Sequence, residues 1–348
     1  MQIERTRIEG YEEVVYGEDP ESGLKAFIAI HDTTLGPAIG GCRMWPYADR
    51  DAALSDVLRL ARSMTYKAAI ARLPLGGGKA VIIGDPHKDK TEALMEAFGD
   101  FVQGLEGRYI TAEEVGIWPD DVETISRRTR YVTGRPRRGG DPTPLAAWGV
   151  YCGIRAAVRH KLELSSMAGL SVAVQGLGHV GHKLCRYLHD AGAELIVADK
   201  DPEVAAKVAA QFRAEIVAPD AIYSADADVF APCAMGDVLT DETIPALSAS
   251  IVAGSANNQL ARRELGMELV KRGILYAPDY VISAGGLMKV AEEVVYPGDF
   301  DQERLQGRVE GIGLTLTRIF READREGIDT TTVADRIAMD RLEMAKAA

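Results

Sequence analysis

Two stretches of this chain combine residue types that could do chemistry. In Leu73-Pro74-Leu75-Gly76-Gly77-Gly78-Lys79-Ala80-Val81-Ile82-Ile83, three glycines deliver a single lysine at the mouth of an apolar run. Glycine lacks a Cβ and tolerates positive φ, so such a run suits a tight turn that brings backbone close to a ligand. A lysine desolvated beside another cation loses its proton more readily and can then act as a base near neutral pH. Lys67, twelve residues earlier, is the candidate for that second cation. Taken alone, the run reads first as an ordinary tight turn with a solvated lysine, and the rest of the chain reverses that reading.

The second stretch is Gly176-Leu177-Gly178-His179-Val180-Gly181. It follows a short apolar strand candidate, Ser171-Val172-Ala173-Val174-Gln175, and opens a helix whose apolar face is Val180, Leu184 and Leu188. Gly192 ends that helix, and a second strand, Glu194 to Ala198, runs into Asp199. Each part has a task in holding a dinucleotide. The glycines permit the turn, the approach of pyrophosphate and close helix packing; the helix N-terminus receives phosphate; and the acid accepts hydrogen bonds from a ribose diol. Asp199 would repel a 2′-phosphate, which favours NAD over NADP. Val229-Phe230-Ala231-Pro232 and Ile251-Val252-Ala253-Gly254 extend the parallel sheet.

Other elements must position the lysines. Glu12 to Tyr16 and Leu24 to Ile30 are two strands joined by a reversal through Gly17-Glu18-Asp19-Pro20. From Asp51 to Lys67 the apolar residues Leu54, Val57, Leu58, Ala61 and Met64 recur at three and four, an amphipathic helix with Lys67 near its C-terminal end. Ala80 to Ile83 is a short buried strand, and Leu94, Ala97, Phe101, Val102 and Leu105 mark another helix, with Asp89 and Glu92 at capping-box spacing. Tyr131 to Pro144 is dense in Gly, Pro and Arg, so the domain boundary is placed inside it. The expected division is 1–137, a substrate-binding α/β domain, and 138–321, a Rossmann-type doubly wound domain, with a cleft between them and a C-terminal helix at 322–348 packing back on the first domain.

Composition narrows the function classes. The 348 residues carry a formal net charge of −12, and 47% are hydrophobic. That balance disfavours nucleic acid and anionic membranes and favours a small-molecule partner. No apolar run reaches the roughly 18 residues of a bilayer span, and the first residues lack an export signal; the expected location is cytoplasmic. Cys42, Cys152, Cys185 and Cys233 form no Cys-x-x-Cys pair, which fits reduced thiols. His179 and His182 stand three apart with no third ligand at metal-site spacing, so no metal is expected.

With these residues in place, the chain resembles the Glu/Leu/Phe/Val amino-acid dehydrogenase family, its leucine dehydrogenase branch above all. The resemblance runs nearly end to end. It is carried by Thr34 to Gly41 (TLGPAIGG), Met64-Thr65-Tyr66-Lys67, Gly76 to Lys79, Tyr109 to Gly116 (YITAEEVG), the dinucleotide loop, Ala231-Pro232-Cys233-Ala234, Ala253 to Leu260 (AGSANNQL) and Ala277 to Ile282 (APDYVI). It implies reversible, NAD-linked oxidative deamination of an L-amino acid to a 2-oxo acid and ammonium, in a homo-oligomer. Carried over position by position, Lys67 would hold the substrate carboxylate, with backbone at Gly40 and Gly41, and Lys79 would be the general base that activates water. Glu114 stands where the family usually carries an Asp that assists proton transfer. Ile39, Met64, Ala112, Leu287 and Val290 would line a side-chain pocket with no charge to pair a γ-carboxylate, so a branched aliphatic substrate is favoured. Asn258 would help place both amino group and nicotinamide, and cofactor contacts would fall at Gly176, Gly178, His179, Val180, Gly181, Asp199, Cys233 and Ala234.

The chain departs from the family pattern at Ala146, usually Thr, and at Ser283 and Lys289, often Asn. Lys289 has two readings, recruiting an acidic group on the substrate or turning away to solvent along its apolar stem, and the second is the expectation. Two other readings compete: a non-catalytic NAD-binding sensor or assembly protein of the same fold, and a dehydrogenase for aromatic amino acids.

Overall fold

The computed structural model describes residues 1–135, 141–296 and 301–347. They fall into two compact units, the first comprising Met1–Asp141, Val290–Phe300 and Ala338–Ala348, the second Pro142–Lys289 and Asp301–Ile337. Both are α/β units, a mixed sheet in the first and a Rossmann-type parallel sheet in the second.

In the first unit the strands are β1 (Gln2–Thr6), β2 (Glu13–Asp19), β3 (Leu24–Asp32), β4 (Ala38–Ile39), β5 (Cys42–Trp45), β6 (Gly76–Ile83) and β7 (Tyr109–Ile110), and the helices α1 (Arg50–Ile70), α2 (Glu92–Gln103) and α3 (Pro119–Ile125). The order is β1-β2-β3-β6-β4-β7, and β5 pairs with β6 beyond β4. The first four strands are antiparallel neighbours, whereas β4 and β5 run parallel to β6. Alternation along the strands sorts the two cores, since successive side chains point to opposite faces. Val14, Tyr16, Phe27, Ala29 and Val81 pack with Val57, Leu60 and Ala61 of α1, while Val15, Ile28, Ala80 and Ile82 pack with Phe98, Phe101 and Val102 of α2. Lys79, two residues before Val81, therefore shares the face that α1 covers.

Three expectations are corrected here. Gly76 to Gly78 do not make a turn: they are the first residues of β6, and none has positive φ. What excludes side chains is proximity, because a Cβ at Gly77 would run into Thr65 of α1, one at Gly76 into Asp32, and one at Gly78 into Tyr109. The cap of α2 is Thr91, whose side chain accepts from the Leu94 N–H at 3.1 Å, while Asp89 instead accepts from the Asp85 N–H at 2.7 Å. The helix expected at 322–348 is two helices. Gly327 at φ +67 closes the first, and only the stretch from Ala338 belongs to the first unit. There Arg341 donates to the carbonyl of Ala69 in the last turn of α1 at 2.6 Å and to that of Leu73 just beyond it at 3.1 Å.

The second unit carries strands β8 (Ser171–Gln175), β9 (Glu194–Ala198), β10 (Glu215–Ile216), β11 (Val229–Pro232), β12 (Ile251–Val252) and β13 (Leu275–Tyr276) in the order β10-β9-β8-β11-β12-β13, all parallel. Its helices are α4 (Thr143–Lys161), α5 (His179–Asp190), α6 (Pro202–Phe212), α7 (Thr243–Ala246), α8 (Leu265–Lys271), α9 (Asp279–Ile282), α10 (Ala284–Val295), α11 (Gln302–Glu326) and α12 (Thr330–Lys346). The division between units passes through α10 and α12 and falls at Asp141/Pro142 rather than 137/138. Among the described residues no helix is long and apolar enough to cross a membrane.

His31 on β3 shows what burial does to a titratable group beside this sheet. Its Nδ1 lies 2.9 Å from Thr65 Oγ1, and the rings of Tyr11 and Tyr66 stand edge-on to it. Burial pushes its pKa down to about 4, against a smaller upward pull from Asp32. The unfolded chain takes up the proton first as pH falls, so stability is present above about pH 6.5 and is lost on the way down to pH 4. Between pH 7 and pH 4.5 the native protein should lose about 2 kcal/mol more than a His31→Gln variant, measured by urea unfolding. Equal losses in the two proteins would show that His31 does not titrate differently on folding.

Candidate active site and dinucleotide loop

In the first unit the two lysines are buried, Lys67 in the last turn of α1 and Lys79 on β6, at 7% and 4% exposure. Gly77 lets the Thr65–Lys67 end of α1 sit directly on β6. Lys79 Nζ donates to Glu114 Oε2, and Glu114 Oε1 accepts from the Val115 backbone N–H at 3.1 Å. Burial works to raise the Glu114 pKa, but the charges of Lys79 and Arg43 and the hydrogen bonds from Lys79 and Val115 outweigh it. The carboxyl is held well below the usual carboxylate range. An ionised carboxylate is thus fixed against the amine, and water is nearly excluded from both.

The backbone around this pair is shaped by Gly40 and Gly41, between β4 and β5. A Cβ at Gly40 would strike the Gly78 carbonyl and lie 3.3 Å from Met64; one at Gly41 would meet Glu113 and stand 2.8 Å from the Glu114 Cβ. Tyr109, fully buried, donates to the Gly40 carbonyl at 2.5 Å. The Gly40 N–H donates to Ile110 and the Cys42 N–H to Ala112. The structure therefore brings together Gly40, Gly41, Met64, Lys79, Ala112 and Glu114, with Ile39 buried alongside. Of the remaining pocket candidates, Val290 is half-buried and belongs to the same unit, whereas Leu287 and Asn258 belong to the second. Lys289 is 5% exposed, which corrects the expectation that it turns to solvent. Ala284, Gly285, Leu287, Met288 and Ala291 around it are buried too, and in that half of α10 only Gly286 and Val290 are partly exposed. Ser283 donates its hydroxyl to the Asp279 carbonyl at 2.6 Å.

Sequence reasoning passed over Tyr109, Arg43 and Asp279. Arg43 donates to Asp56 at 2.9 Å and lies 3.7 Å from Glu114. The signal was an arginine between Cys42 and Met44, a charge in an otherwise core-facing strand that needs a partner. Asp279 is 8% exposed, and its carboxylate accepts from the Asn258 N–H, fixing that residue in a left-handed conformation at φ +50.

The loop from Gly176 to Gly181 meets the requirements of a dinucleotide cradle one glycine at a time. Gly176 has φ +90, and a Cβ there would stand 2.7 Å from Ala234; one at Gly181 would strike the Gly176 carbonyl and approach Cys233 at 3.3 Å. Gly178 is exposed, and a Cβ there meets nothing within 4 Å, so this is the place where backbone is open to a ligand. It is also the N-cap of α5 and offers no side chain to the first N–H groups, which leaves them for an anion. His179, exposed, and Val180, half-buried, follow in the first turn. Asp199 accepts from the Leu177 N–H at 2.7 Å and the Asp201 N–H at 2.9 Å, so each carboxylate oxygen is anchored and keeps a further lone pair. These residues have the chemistry to hold NAD: the open N–H groups of α5 would receive the pyrophosphate and Asp199 would accept from a ribose.

The chain matches two family models, "Glu/Leu/Phe/Val dehydrogenase, dimerisation domain" over residues 12–133 and "Glutamate/Leucine/Phenylalanine/Valine dehydrogenase" over residues 198–348. It is 52% identical to leucine dehydrogenase of Thermoactinomyces intermedius, covering 97% of this chain and 92% of that one. It is 44% identical to phenylalanine dehydrogenase of Bacillus thermotolerans, with 95% and 88% covered. The crystal structure of L-tryptophan dehydrogenase from Nostoc punctiforme superposes with a TM-score of 0.80 at 48% identity, over 97% of both chains. Matched along both units and half-identical to such enzymes, the chain belongs to the Glu/Leu/Phe/Val dehydrogenase family: it is an NAD-dependent amino-acid dehydrogenase, an oxidoreductase acting on CH–NH2 groups.

Proposed function

We propose that the protein catalyses reversible oxidative deamination of a branched-chain aliphatic L-amino acid, leucine-like, to the 2-oxo acid and ammonium. The observation that carries this reading is the buried Lys79–Glu114 pair packed against Gly41, with Met64 at Gly40 and a second buried lysine, Lys67, in the last turn of the helix that covers the same sheet face. Lys67 holds the substrate carboxylate, assisted by backbone at Gly40 and Gly41. Lys79, once deprotonated, takes a proton from the water that adds to the imine carbon, and Glu114 positions Lys79 and assists the transfer. When bound, NAD would supply the acceptor for the hydride that leaves Cα. Gly176, Gly178, His179, Val180, Gly181, Cys233, Ala234 and Asp199 hold the cofactor, and Asn258, pinned by Asp279, orients the amino group and the nicotinamide. Ile39, Met64, Ala112, Leu287 and Val290 receive the side chain. The protein works as a homo-oligomer in the cytoplasm, on small molecules and without nucleic acid or membrane.

Relatives named for tryptophan and phenylalanine favour a second reading, an aromatic substrate. Against it stands the aliphatic or small character of the residues proposed to receive the side chain, among which a planar ring would fit badly.

Three outcomes are expected. Lys79→Ala should abolish deamination while leaving NAD affinity unchanged, because base and dinucleotide loop belong to different units; a tenth of wild-type turnover would exclude Lys79 as the essential base. Asp199→Ala should raise the Kd for NAD more than that for NADP, by titration of each cofactor, since the carboxylate bonds one ribose and repels the other's phosphate. Equal losses would mean that Asp199 does not read the ribose. Finally, kcat/KM for leucine or valine should exceed that for phenylalanine or tryptophan by about 10- to 200-fold, the worth of a misfit in an apolar pocket. Glutamate should be poorer still, since Ile39, Met64, Ala112, Leu287 and Val290 offer its second carboxylate no partner; glutamate in first place would show that the buried Lys289 points into the pocket. An aromatic amino acid in first place in a side-by-side comparison at one pH would overturn the pocket assignment.

A further inference from the structure

We propose that Arg43 is a positioning residue for the reaction, acting through Glu114 to set where the Lys79 amine stands. The inference rests on the role given to Lys79 above and extends it to a residue that touches neither substrate nor cofactor.

The placement follows from the sheet. β5 pairs with β6 in parallel register, Arg43 beside Val81 and Cys42 beside Ala80. Cys42 and Met44 enter the α2 core and Trp45 lies exposed, so Arg43 points to the face that α1 covers. Its side chain is 12% exposed and joins two acids: Nη1 donates to Asp56 Oδ2 of α1 at 2.9 Å, and Nη2 lies 3.7 Å from Glu114 Oε1. Tyr47 donates its hydroxyl to the same Asp56 oxygen at 2.6 Å. The chain of partners runs Tyr47, Asp56, Arg43, Glu114, Lys79, with charges alternating from Asp56 onward.

Division of labour between the Glu114 oxygens is the telling feature. Oε1 faces Arg43 and the Val115 N–H, which leaves Oε2 to Lys79. A glutamate has one more rotatable bond than an aspartate and loses more rotamer freedom when held. Without a second anchor the carboxylate can swing, and the amine it holds swings with it. A misplacement of about 1 Å can cost on the order of a hundredfold in rate. Arg43 supplies that anchor together with the Val115 N–H, adding the only side-chain charge on Oε1 among the described ion pairs, and Asp56 with Tyr47 hold Arg43 from behind. Both partners being nearly buried, solvent screens the interaction little.

The test is a cycle of full-length variants, Arg43→Met, Glu114→Gln and the double variant, assayed for kcat and KM with leucine and for NAD affinity. Arg43→Met should lower kcat at least tenfold with NAD affinity unchanged and leucine KM within about twofold. The double variant should be no more than about twofold slower than Glu114→Gln, since Arg43 has nothing to act through once that carboxylate is gone. Arg43→Met leaves Asp56 unpaired and can fail to fold. The same cycle in an Asp56→Asn background removes the stranded charge and gives the same expectation. A kcat within twofold of its parent on loss of Arg43, or an equal further loss in the Glu114→Gln background, would overturn the inference. If Glu114→Gln keeps full kcat, both this inference and the Glu114–Lys79 pairing in the proposed mechanism fall; an impaired Glu114→Gln with additive losses sinks the role of Arg43 alone.

Discussion

Everything in the first unit is arranged around one ion pair, Lys79 with Glu114, taken out of water. A buried ammonium is costly unless a carboxylate meets it, and the carboxylate is as costly without its own donors. The fold answers with Arg43 and the Val115 N–H on the far side of Glu114. Because the pair is enclosed, its geometry is set by protein atoms, and a small displacement of either group has no solvent to compensate it. That constraint explains the density of glycine nearby. Gly41 admits the Glu114 side chain, Gly77 admits the end of α1, and Gly78 admits Tyr109. Each removes a side chain so that backbone can come close enough to hold a charged group in place.

The second unit depends on a different economy. Its loop is shaped by backbone geometry: Gly176 turns, Gly181 packs, and Asp199 ties the loop to the end of β9 through the Leu177 N–H. The carboxylate assigned to a ribose is therefore also a structural tie, and its orientation is settled by the fold. Asn258 is treated in the same way, its backbone fixed by the carboxylate of Asp279.

Legibility in the sequence followed local signal. The Rossmann strand, loop, helix and second strand were readable because period, glycine spacing and terminal acid coincide within about thirty residues, and β8, β9 and β11 stand where the pattern put them. The glycine run before Lys79 was harder. Composition cannot distinguish a glycine needed for positive φ from one needed for proximity, and here proximity decides, through Thr65, Asp32 and Tyr109, residues remote in sequence. The cap of α2 fell to Thr91 because Asp89 was already engaged with the Asp85 N–H. Lys289 was misjudged since a lysine's burial depends on what covers its helix. Tyr109 and Asp279 were missed because each matters through a partner far along the chain, a relation that no local pattern encodes; Arg43 left a local mark, a charge between the core residues Cys42 and Met44, but its partner Glu114 is as remote.

The three glycines of the dinucleotide loop are subject to two kinds of selection. A methyl group at Gly176 or Gly181 collides with the protein itself, so any replacement there is felt by the folding chain. A methyl group at Gly178 meets nothing. The folded chain senses such a change only through the cap of α5, where glycine is preferred to alanine, whereas a molecule laid against that backbone meets it directly. In a drifting lineage, Gly176 and Gly181 would persist as long as the fold did, whereas Gly178 would be held chiefly by the nucleotide.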